Sequence, residues 1–358
     1  MREPGAKPGV LAPVGPARHA DLCAFADAGL RLIHLRSHVN PARDVLKWRD
    51  AGASSVVLQL LSPQPAREPT SPQTFVNSFS QDIGDYLDVG VRAVEVHGEP
   101  NRADRGAGVS WQDGAAFGAW FAEVHRYLKA RFGAEIRVGF PALAPPDAAH
   151  PEAGAAIAES TFLEQCRHAL EAADWAALHV TWQTLAEMRD IEGGMRCLWR
   201  YFERFPAQRF IVTSFANVTR DLHPVARGQQ YAEYLTLMAQ YERVLGVAGF
   251  PLRSGDPHYG PLAWISAEGR PTETLAEIAA RPRLPDPRRV QMSWPTDTRR
   301  YIQAFGDHPR AYHRRYQMTG GHNGVDLAVN AQKPESSPIT AALEGTVTQV
   351  ALDESGYG

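Results

Sequence analysis

Cysteine is scarce and scattered. Cys23, Cys166 and Cys197 lie far apart, without the short spacing of a metal knuckle. An odd, sparse set of this kind builds no disulfide framework. All three fall in helical patterns, where a buried free thiol is the expected state. Long apolar runs are missing too, so no segment reads as a bilayer span. The opening Met1-Arg-Glu-Pro-Gly lacks the apolar centre of a signal peptide. A charge surplus is absent: the formal net charge is −3 and the arginines form no stripe. Neither nucleic acid nor an anionic membrane is therefore an expected partner. No Gly-x-Gly-x-x-Gly turn follows the first apolar run, which removes the dinucleotide logic of an open doubly wound sheet.

What remains is a globular composition, 44% hydrophobic over 358 residues, enough for a large barrel and something more. One phrase recurs eight times: a short apolar strand, a turn, then an amphipathic helix. The expected strands are Gly9–Val14, Leu32–Ser37, Ser55–Leu61, Ala93–His97, Ile136–Phe140, Ala176–Thr181, Phe210–Phe215 and Leu245–Phe250. They are nearly continuous in hydrophobicity, as parallel strands covered on both faces should be. Aromatic stripes at helical spacing lie between them: Phe75, Phe79, Ile83 and Tyr86; Phe117, Trp120, Phe121 and Val124; Tyr231, Tyr234, Leu235 and Met238. These read as core faces packed on a sheet. Ser71-Pro72 and Thr272 before Glu273 read as helix starts. The expected fold class is α/β, a (β/α)8 TIM barrel over residues 1–280.

The composition then changes. Residues 281–297 begin with Arg281-Pro-Arg-Leu-Pro-Asp-Pro-Arg-Arg289, a stiff, solvated linker. Residues 298–358 carry β-like runs at Gly324–Val329, Ile339–Ala342 and Thr346–Leu352, with loops rich in Gly, Pro and Ser. This smaller, mostly β segment stops directly after a strand, and the expectation is that a longer domain has been cut.

Function is sought at the strand ends. In Ala93-Val-Glu-Val-His-Gly-Glu99-Pro-Asn101, strand alternation sets Val94 and Val96 on one face and Glu95, His97 and Glu99 on the other. Two acids and a histidine on one strand face call for a polar surrounding. In a barrel of this type that place is the mouth at the C-terminal strand ends. Here the chain resembles the clan of retaining glycoside hydrolases with (β/α)8 barrels. Their fourth strand ends in Asn-Glu-Pro and their seventh in a glutamate nucleophile. The fourth strand reads Gly98-Glu99-Pro100-Asn101, so the glutamate matches and Gly98 replaces the asparagine. The seventh reads Ile211-Val-Thr213-Ser214-Phe215-Ala-Asn217, and Ser214 stands at the nucleophile position. The resemblance implies Glu99 as acid/base, a site at Ser214 without its nucleophile, and a sugar cleft lined by Arg36, His179, Trp182, Asn101 and Asn217. His34, Gln59, Phe250 and Arg253 are further strand-end residues that suit a cleft. Asp256 and Glu95 are candidates for a second carboxylate.

The segment Gly321-His322-Asn323-Gly324-Val325-Asp326 resembles the opening His-x-Gly-x-Asp motif of lysostaphin/LytM-type zinc endopeptidases, with the stretches Pro338–Ala342, Glu344–Val347 and Ser355–Gly358 following in order. The resemblance implies zinc, with His322 and Asp326 as ligands. A catalytic zinc site uses three protein ligands and a water. The family's third ligand belongs to a later His-x-His that this chain does not contain, so the implied site is incomplete and the chain alone is expected to be inactive. Together the two resemblances imply a bacterial or phage cell-wall protein directed at peptidoglycan or another polysaccharide, in the cell envelope or outside the cell. Two alternatives stand beside it: an active glycoside hydrolase using Glu99, with a C-terminal β accessory module, and a non-catalytic cell-surface glycan-binding protein.

Overall fold

The eight apolar runs become eight parallel strands: β1 (Lys7–Leu11), β2 (Leu32–Arg36), β3 (Ser55–Leu60), β4 (Ala93–Val96), β5 (Arg137–Phe140), β6 (Trp175–Trp182), β7 (Phe210–Asn217) and β8 (Val244–Gly249). They pair in chain order, and β8 returns to β1, closing the barrel. The computed structural model describes residues 6–61, 68–144, 157–189, 194–281, 301–303 and 326–327. Each expected strand is present. The ends differ by up to three residues, because strands buried on both faces carry no alternation to mark where they stop.

Helices α1 (His19–Asp27), α2 (Asp44–Asp50), α3 (Pro72–Asp88) and α4 (Gly114–Phe132) follow the first four strands. Pairs α5 (Glu159–Gln165) with α6 (Arg167–Ala172) and α7 (Leu185–Arg189) with α8 (Gly194–Arg204) follow β5 and β6. Helices α9 (Pro224–Met238) and α10 (Glu273–Ala280) follow β7 and β8. Ser71 caps α3 by accepting the Thr74 N–H at 3.1 Å, with Pro72 in the first turn. Asp113 caps α4 by accepting the Ala116 N–H at 2.8 Å. Thr272 precedes α10, but its hydroxyl donates to the Trp264 carbonyl instead of capping. The aromatic stripes are buried on the sheet as expected. Cys166 is buried; Cys23 is exposed. The latter corrects the expectation, since α1 buries Asp21, Ala24 and Phe25 and turns position 23 outward. The Cys197 side chain lies outside the described residues.

Inside the barrel, Leu32, Val57, Trp175, Ala177, Ile211 and Ala248 form a closed apolar layer. Its volumes are matched by glycines. A Cβ on Gly139 would enter the Trp175 indole, and one on Gly9 or Gly246 would enter Leu32. This layer seals the lower barrel and leaves the polar groups of the strand ends above it.

Residues 282–358 form a separate unit. Within it β9 (Tyr301–Gln303) and β10 (Asp326–Leu327) pair antiparallel. Here β10 falls inside the expected strand Gly324–Val329. His322 and the runs Ile339–Ala342 and Thr346–Leu352 lie outside the described residues. Among the described residues, no helix is long and apolar enough to cross a membrane.

The glycine–indole fit gives a test. Gly139→Ala overpacks the inner layer against Trp175 and should destabilise the barrel by about 1–3 kcal/mol, read from urea unfolding. A loss under about 0.5 kcal/mol would show that the layer has slack.

Candidate active site

The strand ends open into a cavity of ≈ 560 Å³ whose lining includes His34, Arg36, Gln59, Glu99, Arg102, Arg105, His179, Ser214, Phe250, Asp256 and Tyr259. Two local irregularities aim its key groups. On β4 the alternation stops after Val96: His97 and Glu99 both have left-handed backbone, at φ 70° and 51°. Non-glycine residues adopt this region at a cost and cluster there at functional sites. The Glu99 N–H donates to the Ala142 carbonyl at 2.8 Å, which holds the turn to the end of β5. On β7 the register slips against both neighbours around Thr213–Ser214. This bulge brings both residues to the cavity lining, the re-aiming that bulges beside sites produce.

Glu99 is the centre of the polar network. His179 Nδ1 donates to its Oε1 at 2.9 Å. Arg102 Nη1 lies 3.3 Å from its Oε2. Its side chain is 21% exposed, so these partners are only partly screened. Burial alone would raise the Glu99 pKa. The His179 hydrogen bond and the charges of His179, Arg102 and Arg105 outweigh burial and hold it at about 2. Burial works against the His179 charge, but the bond to Glu99 and the carboxylates of Glu99 and Glu95 raise its pKa. The pairing thus favours the imidazolium form of His179 and the carboxylate form of Glu99. Beneath it, His34 Nδ1 donates to the Thr213 carbonyl at 3.0 Å, and Glu95 accepts the Ala142 N–H at 3.2 Å. His34 Nε2 and Glu95 Oε2 are 3.1 Å apart but not aligned as a hydrogen bond, so proximity rather than a directed bond joins them.

Of the residues expected from sequence, Glu99, Ser214, Arg36 and His179 meet at this cavity. Three others do not. Trp182 is 1% exposed, stacks on Phe215 and donates to Gln230 Oε1 at 2.8 Å. The inward positions of β6 are odd-numbered, so Trp182 points out toward α9. Asn217 donates to the Gln183 carbonyl and to Gln230 Oε1. The β7 bulge shifts the inward parity to Ala216 and Val218, which turns Asn217 outward. Asn101 clamps the β4 and β5 ends through the Ala144 backbone at 2.8 and 3.2 Å. These three hold the walls. His97 is also corrected. The turn at φ 70° takes it out of the polar face and against Phe75, Trp111 and Trp120. Burial lowers its pKa to about 4, with the Gly98 carbonyl opposing and Arg105 assisting.

Sequence reasoning missed Arg102, Arg105 and Tyr259. Arg102 stood three residues after Glu99 and was open to notice. Tyr259 lies in the irregular segment after β8, where no period marks it, and packs edge-on against Phe250 with centroids 5.0 Å apart. Burial and the charges of Asp256 and Glu99 raise its pKa. Among the described residues, no group of three or more His, Cys, Asp or Glu is arranged to hold a metal ion.

No family model and no curated protein matches the chain. Among solved structures, a GH128 subgroup II endo-β-1,3-glucanase from Sorangium cellulosum aligns with TM-score 0.57 and 15% identity, covering 78% of this chain and 99% of that one. The subgroup II endo-β-1,3-glucanase from Pseudomonas viridiflava gives 0.52 and 20%, over 78% and 98%. A mutant of the subgroup I enzyme from Amycolatopsis mediterranei, in complex with laminarihexaose, gives 0.50 and 15%, over 78% and 100%. At such identities the likeness establishes the (β/α)8 fold. The zinc-peptidase resemblance of residues 298–358 has no counterpart among these structures. The charge state of Glu99 is testable on the chain itself. A carboxyl depressed to about 2 from 4.5 adds stability that is present above pH 4.5 and lost as the pH falls toward 2. Wild type should therefore lead Glu99→Gln in unfolding free energy at neutral pH, with the lead shrinking through that window. A constant difference down to pH 2 would refute the ionised pair.

Proposed function

We propose that the barrel is a glycoside hydrolase-type domain that takes a polysaccharide in its cavity, with Glu99 as the acid/base carboxyl. The observation that carries this reading is Glu99 at the C-terminal end of the fourth strand, facing the cavity and held by His179 and Arg102. The Phe250–Tyr259 pair supplies aromatic surface for a sugar ring. The solved neighbours are named as β-1,3-glucanases, and one was crystallised with laminarihexaose. That makes β-1,3-glucan the first neutral polymer to test.

The chemistry needs two carboxyl groups. A retaining enzyme sets them about 5–5.5 Å apart, and the second attacks the anomeric carbon. Ser214 has no carboxylate to offer for that attack. Among the described residues, Asp256, after β8, is the other carboxylate that lines the cavity. In the inverting scheme that we infer, Glu99 gives a proton to the leaving oxygen while Asp256 takes one from the attacking water. Glu99 can do so only after receiving a proton, and the hydrogen bond to His179 is the adjacent source. Glycan arrays and reducing-end assays on the full chain test the reading. Binding is expected, with turnover reduced about 100-fold or more in Glu99→Gln. No binding to any neutral or acidic glycan would overturn it.

A second expectation concerns Ser214→Glu. A carboxylate placed on β7 beside Glu99 should raise the Glu99 pKa by like-charge repulsion, read by carbon-13 NMR titration, and should favour retention at the anomeric centre. A Glu99 that still titrates at about 2 would reject Ser214 as the vacant nucleophile position.

For residues 298–358 we propose zinc binding through His322 and Asp326, supported by the His-x-Gly-x-Asp motif alone. Location in the cell envelope or outside the cell, on peptidoglycan, is proposed on the same ground. Zinc taken up by the full chain should fall in His322→Ala; equal metal content in both forms would dismiss the ligand set.

A further inference from the structure

We propose that the β2–β3 end of the cavity is a subsite for a carboxylate carried by the sugar ligand, taken by Arg36 and Gln59, so that the polymer bound here is an acidic glycan. This inference rests on the glycan reading of the cavity and deepens it by naming the substrate class.

Arg36 and Gln59 are direct register partners at the ends of β2 and β3, and both line the cavity. Neither side chain has a partner among the described residues. The Arg36 Nε is buried without an acceptor, and its guanidinium forms no ion pair. Gln59 is only 5% exposed, and its amide has no hydrogen bond to protein among the described residues. The room for that amide comes from Gly98: a Cβ there would sit 2.7 Å from Gln59 Nε2. The missing side chain beside Glu99 is thus matched by an amide from the neighbouring strand.

The other charges of the cavity are accounted for. Glu99 is held by His179 and Arg102. Arg253 makes a two-pronged bond to Asp21 at 2.8 and 3.0 Å. Asp256 accepts the His258 N–H at 2.8 Å. Burial lowers the Arg36 pKa, and the charge of Arg105 lowers it further. Arg105 itself has Asp104 at 3.8 Å, so Arg36 is the cavity guanidinium that lacks an acid partner among the described residues.

Arg36 is half-buried with its Nε unsatisfied, and a ligand that supplies an acceptor relieves that cost. Sugar hydroxyls can accept hydrogen bonds but bring no charge. A carboxylate brings both, and its two oxygens match the fork of an arginine. The adjacent amide N–H of Gln59 adds a directional donor. The recognised chemistry is a saccharide carboxylate, whether a uronic acid or a lactyl ether on an amino sugar.

Calorimetry on the full chain tests this with matched pairs: an oligouronate against its carboxyl-reduced form, and muramic-acid-containing strands with the lactyl carboxyl free or amidated. At least one acidic member should bind about ten-fold tighter than its neutral partner, and which pair does so identifies the source of the carboxylate. The preference should shrink with rising salt. Arg36→Met should bring the ratio near one, Arg36→Lys should leave it intermediate, and Gln59→Leu should lower it. If both members of each pair bind equally to wild type, the carboxylate subsite is wrong and the glycan reading stands. If no saccharide binds, both fall. A ratio unchanged in folded Arg36→Met removes Arg36. If that variant does not fold, the Gln59→Leu ratio decides: a fall supports the subsite and an unchanged ratio overturns it.

Discussion

A closed parallel barrel leaves little room for charge on its inner face. Hydrophobic layers fill its lower part, and the strand ends are the one place where ionisable groups can look inward and still meet water or ligand. Each such group needs a partner, because an unpaired buried charge costs several kcal/mol. The pairings at this mouth are therefore structural statements as well as chemical ones. His179 on β6 and Arg102 beyond β4 hold Glu99. Asp21 on α1 holds Arg253 beyond β8 and also accepts the Arg18 N–H at the start of its own helix. These bonds tie the cavity to the outer ring of helices, so the mouth cannot rearrange without loosening the shell.

Two breaks in regularity decide what enters that mouth. A regular β4 would carry His97 inward with Glu95. The left-handed turn at His97 instead sends the imidazole into aromatic packing and lets Glu99 emerge beyond it. Each non-glycine residue in this conformation costs on the order of 1–3 kcal/mol. Here the Trp111 indole bonded to the Pro100 carbonyl at 2.8 Å and the Glu99–Ala142 backbone bond oppose relaxation. The bulge on β7 does the complementary thing across the barrel, presenting Ser214 where regular alternation would have hidden it.

The same breaks explain how far the sequence could be read. Hydrophobic period alone locates all eight strands and the core faces of α3, α4 and α9, because burial imposes those patterns directly. It also locates Glu99, Arg36 and His179, whose strand-end positions follow from ordinary alternation or from the Glu-Pro turn. Trp182 and Asn217 are misjudged for a definite reason. Chemical suitability for a sugar carries no parity, and β6 parity turns the first outward, as the β7 bulge does the second. His97 fails because no residue in Val96-His97-Gly98 announces a left-handed turn at the histidine. Arg105 and Tyr259 sit on irregular segments, where sequence carries no period to place a side chain.

The β7 end of the cavity carries the uncharged Ser214. A glutamate at position 214 would bring a negative charge to the mouth, and the serine brings none. Two consequences follow from the same missing charge. Glu99 has no like-charged neighbour on β7 to keep it protonated, so its cationic partners hold it ionised. At the same time the cavity retains more guanidinium than carboxylate among its lining residues, and Arg36 is left without an acid to face. A site built for a neutral chain with its own pair of carboxyls would not leave both conditions standing. An anionic ligand answers the second and changes the first, because a negative group bound near Arg36 and Arg105 weakens the field that depresses the Glu99 pKa. Ligand charge and the protonation of Glu99 are then coupled through the same arginines.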